Sequence, residues 1–239
     1  MKKYQMEGTD VKEKHLAHRG VSLMAPENTL PAFYAAIEQG LAGIELDVHM
    51  SKDGHLIVIH DNDVSRTTNG KGLIKDMTLE EIKALDAGSW FAERYSGAKV
   101  PVLDEVLELI GPREFIINIE LKSGIIQYPG LEEKVVEVVE KYNALDITIF
   151  SSFNHHSLLK IKEINRDAKI GVLYYAGLVD PWEYGKKLKA YSLHPFFPSV
   201  TAQMVKECLA QGLRVIPFAV DDKKTAQKLI EFGVEYVIM

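Results

Sequence analysis

The chain has a single cysteine, Cys208, among 239 residues. An internal disulfide is therefore impossible, and Cys208 reads as a small core residue on a helix. Positive charge is also scarce. Lys and Arg number 28 against 34 Asp and Glu, a net charge of −6, and no basic run marks a groove for nucleic acid. No apolar stretch approaches the ~20 residues that a helix needs to span a bilayer. Residues 1–14 are polar and charged, without the apolar core of a secretion signal. Internal repeats and low-complexity tracts are missing as well. These absences point to a soluble, cytoplasmic protein. What is present is a 46% hydrophobic chain, enough for one large domain or one domain with an insertion.

The pattern alternates between strand and helix. Residues 15–19 form a short strand candidate that stops at Gly20. Residues 29–39 follow with helical spacing: Asn28 is placed as N-cap, Pro31 in the first turn and Gly40 at the end. A second strand is expected at 43–50, which makes a parallel βαβ unit. The alternation resumes with a helix at 103–110 and a strand at 115–122, then a helix at 132–142 and a strand at 147–150. Next come a helix at 155–165, a strand at 169–174, a weak helix at 180–189 and a strand near 191–193. The series closes with a helix at 201–211, a strand at 213–219, a helix at 223–232 and a strand at 235–239. Eight strands with helices between them close naturally as an eight-stranded β/α (TIM-type) barrel. Residues 52–101 break the rhythm. They begin with a hairpin return and continue through a tract rich in Thr, Gly and Asn to a short helix at 79–85, so they read as a small insertion after the second strand.

The second strand is chemically unusual. Ile44, Leu46 and Val48 alternate with Glu45, Asp47 and His49, which places three polar groups on one face. Glu45 and Asp47 are poor strand formers inside an apolar run, and two carboxylates at i and i+2 repel unless a cation lies between them. Ser51-Lys52-Asp53-Gly54 then gives a tight turn, and the returning run ends at His60-Asp61. In the strand at 115–122, Asn118, Glu120 and Lys122 share one parity. Inward parity in a barrel brings Glu45, Asp47 and Glu120 toward one point near the C-terminal strand ends. An all-oxygen set of this kind favours Ca²⁺ or Mg²⁺ over Zn²⁺. A salt-bridged polar interior, with Lys122 neutralising one carboxylate, fits the same spacing.

His18-Arg19-Gly20 followed by Pro26-Glu27-Asn28-Thr29, then Glu45-x-Asp47, Asp53-Gly54 and His60-Asp61, resembles the glycerophosphodiester phosphodiesterase family. The likeness runs from about residue 15 to the end of the sequence, with motifs dense through residue 122. It implies metal-dependent hydrolysis of a small-molecule glycerophosphodiester to glycerol 3-phosphate and an alcohol. It also implies that Glu45, Asp47 and Glu120 hold the divalent metal. His18 and His60 take the roles of general acid and base, in an order that the sequence leaves open, which suits imidazole near neutral pH. Arg19 offers a planar fork to phosphate oxygens and Lys122 a point charge. Glu27 and Asn28 are expected to order the loop carrying His18. The resemblance further implies that 52–101 forms a lid or partial wall over the site. Two features depart from the family pattern. Its Trp-Thr-Val-Asn type stretch in strand seven is replaced by Ile216-Pro217-Phe218-Ala219-Val220-Asp221, so Phe218 takes the place of the ring lining the alcohol pocket. The Thr-Asp type turn and final helix expected after strand eight are also absent from this sequence. Phe153 and His194-Pro195 are placed on the barrel rim. The rival readings are a phospholipase D-like barrel acting on lysolipids, which needs an apolar surface near the site, and a non-catalytic ligand-binding barrel.

Overall fold

The computed structural model describes residues 9–239. A short helix α1 (Thr9–Lys12) leads into β1 (His15–His18), α2 (Leu30–Glu38) and β2 (Gly43–Met50). β3 (Leu56–Val58) turns back antiparallel to β2, and α3 (Leu79–Ala84) lies within the insertion. The alternation continues with α4 (Leu103–Ile110), β4 (Ile116–Leu121), α5 (Leu131–Lys141) and β5 (Thr148–Ser152). After these come α6 (His155–Ile164), β6 (Lys169–Tyr174), α7 (Pro181–Lys187), β7 (Ser192–Pro195) and α8 (Ala202–Ala210). β8 (Arg214–Val215), α9 (Lys223–Glu231) and β9 (Val237–Ile238) complete the chain.

The parallel strands lie in the order β8-β7-β6-β5-β4-β2-β1-β9. Backbone bonds from Ile238 N–H to the Pro217 carbonyl (2.9 Å) and from Val220 N–H to the Ile238 carbonyl (3.2 Å) join the two ends of that order. The fold is thus the expected TIM-type barrel. β8 is shorter than the expected strand at 213–219, because Pro217 has no N–H to extend a ladder and Ala219 has φ +58°.

Outward-facing Ile44, Leu46 and Val48 pack under the helices with Phe33, Val106, Ile117 and Phe150, all fully buried. Each such side chain contributes about 1.5–3 kcal/mol on burial. Inside the barrel, Leu16, Ile149, Ile216 and Ile238 form an apolar plug, so the polar residues of the same parity are displaced toward the C-terminal mouth. Cys208 is buried on α8, as its position in the pattern suggests.

Two placements are corrected. Thr29, not Asn28, is the N-cap residue of α2; Asn28 has φ +53° and turns its side chain to Asp47 instead. His194 is not a rim residue. It is fully buried inside the barrel, its Nε2 is 2.8 Å from Ser192 Oγ, and a Cβ on Gly171 would stand 2.5 Å from that same nitrogen. Glycine at 171 therefore makes room for the ring. Burial pushes the His194 imidazole down to about 3.

That shift has a sign. The unfolded chain takes up a proton at His194 near pH 6.5, whereas the folded barrel refuses it until about pH 3, so stability falls as pH drops through this window. The effect is at most about 5 kcal/mol. Urea unfolding of the parent and of His194→Leu at pH 7 and pH 4.5 should show the variant losing about 2–3 kcal/mol less on acidification. Equal losses would mean that the ring is not held neutral.

Candidate active site

β1 ends at His18, and the chain then turns sharply. Arg19 has φ +58° and Gly20 φ +77°, and a Cβ on Gly20 would lie 2.7 Å from Ala32, so the tight approach to α2 requires glycine there. A positive φ at arginine is uncommon, and its cost is offset where the backbone gains a partner. Here the Arg19 N–H donates to Glu45 Oε2 at 2.9 Å. The same carboxylate oxygen lies 3.9 Å from His18 Nε2.

Glu45, Asp47 and Glu120 converge: one oxygen from each lies within 4.8 Å of the others. The parallel register Glu45↔Asn118 and Asp47↔Glu120 produces this, placing the inward residues of β2 and β4 side by side. Lys122 reaches in from the end of β4, with Nζ 2.9 Å from Glu120 Oε1 and 3.4 Å from Asp47 Oδ1. Asn28 donates to Asp47 Oδ2 at 2.8 Å, and Arg19 Nε stands 3.6 Å from the same oxygen. Burial, then the charges of Asp47 and Glu120, push Glu45 well above the usual carboxylate range. Burial and Asp47 raise Glu120 to about 7. Burial would also raise Asp47, but Lys122, His60 and Arg19 outweigh it and bring this carboxyl to about 2. Asp47 Oδ1 is buried without a hydrogen-bond donor. An all-carboxylate cluster with an unfilled buried oxygen fits a hard divalent cation.

His60 follows β3 and faces the same cavity of about 320 Å³, which Glu120, Lys122, Ile125 and Phe153 also line. Its Nδ1–H donates to Asp61 Oδ1 at 2.6 Å, which leaves Nε2 as the nitrogen free to exchange a proton. His49 lies behind it, fully buried, and burial lowers its imidazole to about 4. In the neutral ring, Nε2–H donates to the His60 carbonyl at 3.0 Å while Nδ1 accepts from the Tyr128 hydroxyl at 2.9 Å.

A second layer of charge joins these groups. Glu27 accepts from Arg19 Nη1 at 2.9 Å and from both Nη atoms of Arg66, at 2.9 and 2.7 Å. Arg66 also donates from Nε to Asp61 Oδ2 at 2.6 Å. Sequence reasoning missed Arg66, placed His49 on the polar face of its strand without a role, and gave Asp61 none. Adjacency to His60 was the available signal for Asp61; Arg66 sits in a tract with no periodicity to mark it.

Phe218 lies at the mouth, half-buried, edge-on to Phe153 (5.7 Å, 84°) and Tyr175 (5.3 Å, 79°). Phe153 stacks on Tyr175 and is the ring that reaches the cavity.

Carboxylates, imidazoles and fixed cations gather at the C-terminal mouth of a β/α barrel, where enzymes of this fold carry their active sites. Residues 18–239 match the sequence model of the Glycerophosphoryl diester phosphodiesterase family; the chain belongs to that family and is an enzyme of its class, a phosphoric diester hydrolase. A glycerophosphodiester phosphodiesterase from Caldanaerobacter subterraneus subsp. tengcongensis is 50% identical over 223 residues, 93% of this chain and 92% of the relative. One from Bacillus altitudinis is 42% identical over 225 residues, with the same two shares. Among solved structures, an Oleispira antarctica phosphodiesterase in complex with the product sn-glycerol-3-phosphate superposes with a TM-score of 0.86. It shares 36% identity, covering 94% of this chain and 92% of that one. A glycerophosphodiester phosphodiesterase from Agrobacterium tumefaciens gives a TM-score of 0.81 at 31% identity, covering 94% and 95%. Among the described residues, no helix is long and apolar enough to cross a membrane.

Proposed function

We propose that this enzyme releases glycerol 3-phosphate and an alcohol from a glycerophosphodiester, using a divalent ion held by Glu45, Asp47 and Glu120 and an acid–base pair formed by His18 and His60. The observation that carries the reading is the convergence of three carboxylates, two of them buried, beside both imidazoles. Ca²⁺ or Mg²⁺ in that cluster would polarise a phosphoryl oxygen and offset the charge developing on it. Arg19 and Lys122, both beside Asp47, supply donors to the non-bridging oxygens. Asp61 holds His60 in the tautomer that exposes Nε2 to the substrate. The alcohol is directed toward the aromatic wall of Phe153, backed by Phe218. The product complex of the Oleispira antarctica phosphodiesterase supports the assignment of glycerol 3-phosphate. The test is glycerol 3-phosphate release from glycerophosphocholine and related head groups in metal-supplemented buffer; no release from any of them would overturn the proposal.

A lysolipid substrate is the second reading, and one observation favours it. Ile125, Tyr175 and Val179 are 86%, 64% and 90% exposed on loops following β4 and β6, an apolar rim invisible to any search for an amphipathic helix. Faster turnover of lysophosphatidylcholine than of glycerophosphocholine would select that reading.

Residues 52–101 are proposed to act as an insertion subdomain that walls the site. The insertion carries its own apolar cluster, including Val64, Ile74, Ile82 and Ala87. Its first segment, however, belongs to the sheet, since Leu56 and Val58 of β3 pack into the main core. Val58 N–H bonds to the Pro101 carbonyl at 2.9 Å, so the two ends meet. A short linker replacing 59–100 should leave a folded barrel by circular dichroism while removing activity, because His60 leaves with it. Failure to fold would make the segment part of the barrel core.

A further inference from the structure

Two carboxylates, each bound to a different group of the site, converge on one side chain that belongs to the insertion. Arg66 presents its full fork to two carboxylates. Nε and Nη2 donate to the two oxygens of Asp61, at 2.6 and 3.2 Å; Nη1 and Nη2 donate to the two oxygens of Glu27, at 2.9 and 2.7 Å. Each carboxylate spends its remaining contact on a different substrate-facing group. Asp61 Oδ1 holds His60 Nδ1 at 2.6 Å, and Glu27 Oε1 holds Arg19 Nη1 at 2.9 Å. Arg66 is itself 43% exposed, and ion pairs so open to water contribute little to stability. Its backbone is nonetheless fixed. Val64, Thr67 and Thr68 on either side are buried, and Thr68 Oγ1 bonds back to the Val64 carbonyl at 2.7 Å. A planar, delocalised fork can satisfy two carboxylates at once with directed bonds; an ammonium cannot reproduce that geometry.

We infer that Arg66 is a positioning residue that holds the acid–base imidazole His60 and the phosphate-binding guanidinium Arg19 in one fixed relation. Through this one side chain the insertion sets the geometry of the reaction centre as well as walling it. The inference rests on the proposed roles of His60 and Arg19. The two arms have separate signatures: loss of the Asp61 arm misaligns His60 and lowers kcat, whereas loss of the Glu27 arm loosens Arg19 and raises KM.

The test uses the metal-supplemented full chain and glycerophosphocholine. Arg66→Gln should lower kcat about 10- to 100-fold, the range typical of groups that orient a reacting side chain. Arg66→Lys, which keeps the charge and loses the fork, should recover only part of that. In a His60→Ala background, adding Arg66→Gln should lower kcat by less than threefold while KM still rises. If Arg66→Gln does not fold, Arg66→Lys carries the same comparison. A kcat within threefold of the parent, full recovery by lysine, or an undiminished kcat loss in the His60→Ala background would overturn the inference. Should His60→Ala alone retain activity, the reading of His60 fails, and the inference built on it fails too.

Discussion

Chelation with EDTA is expected to abolish glycerol 3-phosphate release, and added Ca²⁺ or Mg²⁺ to restore it. The reason lies in the electrostatics of three carboxylates, two of them buried, with one oxygen from each within 4.8 Å of the others. Burial and mutual repulsion hold Glu45 well above its ordinary range and Glu120 near 7, so the ionised cluster is unfavourable without a cation at its centre. Lys122 offsets part of that charge but is tied to Glu120 and Asp47 from one side. A Lewis acid at this position is worth several kcal/mol in the transition state, roughly 10³-fold in rate. Glu45→Gln keeps the shape and removes the charge, so it should weaken metal affinity by calorimetry while thermal unfolding of the apo-protein is unchanged or delayed. Full activity in a demonstrably metal-free sample would eliminate the metal from the mechanism.

His18→Ala and His60→Ala should each lower kcat by about 10²- to 10⁴-fold, with much smaller effects on substrate binding. His18 closes β1 and lies beside Glu45, with its side chain 36% exposed toward the mouth; His60 enters from the far side of β2 after β3. Metal affinity should survive both changes, since the proposed ligands are the carboxylates. Groups that act as a unit give non-additive losses, so the double variant should lose less than the product of the two single effects. The leaving group separates the roles. A substrate releasing nitrophenolate needs little protonation, and it should rescue the variant lacking the acid but not the one lacking the base. Activity within about threefold of the parent in either variant would reduce that histidine to a packing residue.

The parts of this molecule that could be read in advance are those written in periodicity. Alternation in 43–50 and 115–122 gave the inward parity of Glu45, Asp47 and Glu120, and parallel register in a barrel does the rest. Helices α4 and α6 begin at the expected residues, Leu103 and His155. Contacts that join loops distant in sequence were not readable. Arg66 meets Glu27 across 39 positions, and nothing local to either residue announces the pair. Asn28 carries the usual signal of a helix cap, yet tertiary demand from Asp47 takes it away from α2. His194 looked like a strand-end residue, because its neighbours do not reveal that Gly171 leaves space for a ring inside the barrel. The apolar rim is assembled from separate loops, so no single stretch of sequence contains it.

The charges around the mouth also bear on the order of events in the proposed mechanism. With its acids ionised and its imidazoles neutral, the connected network holds five carboxylates, those of Glu27, Glu45, Asp47, Asp61 and Glu120, against three cations, Arg19, Arg66 and Lys122. The balance is two negative charges, which one divalent ion cancels. A phosphodiester is itself a monoanion, and a fully ionised pocket whose two surplus charges are cancelled does not repel it. Under the proposed mechanism, metal first and substrate second is the expected order. Hydrolysis then turns the diester into a monoester whose second ionisation, near pH 6, adds negative charge. The pocket that admits the substrate is thereby left with surplus charge once the product has formed.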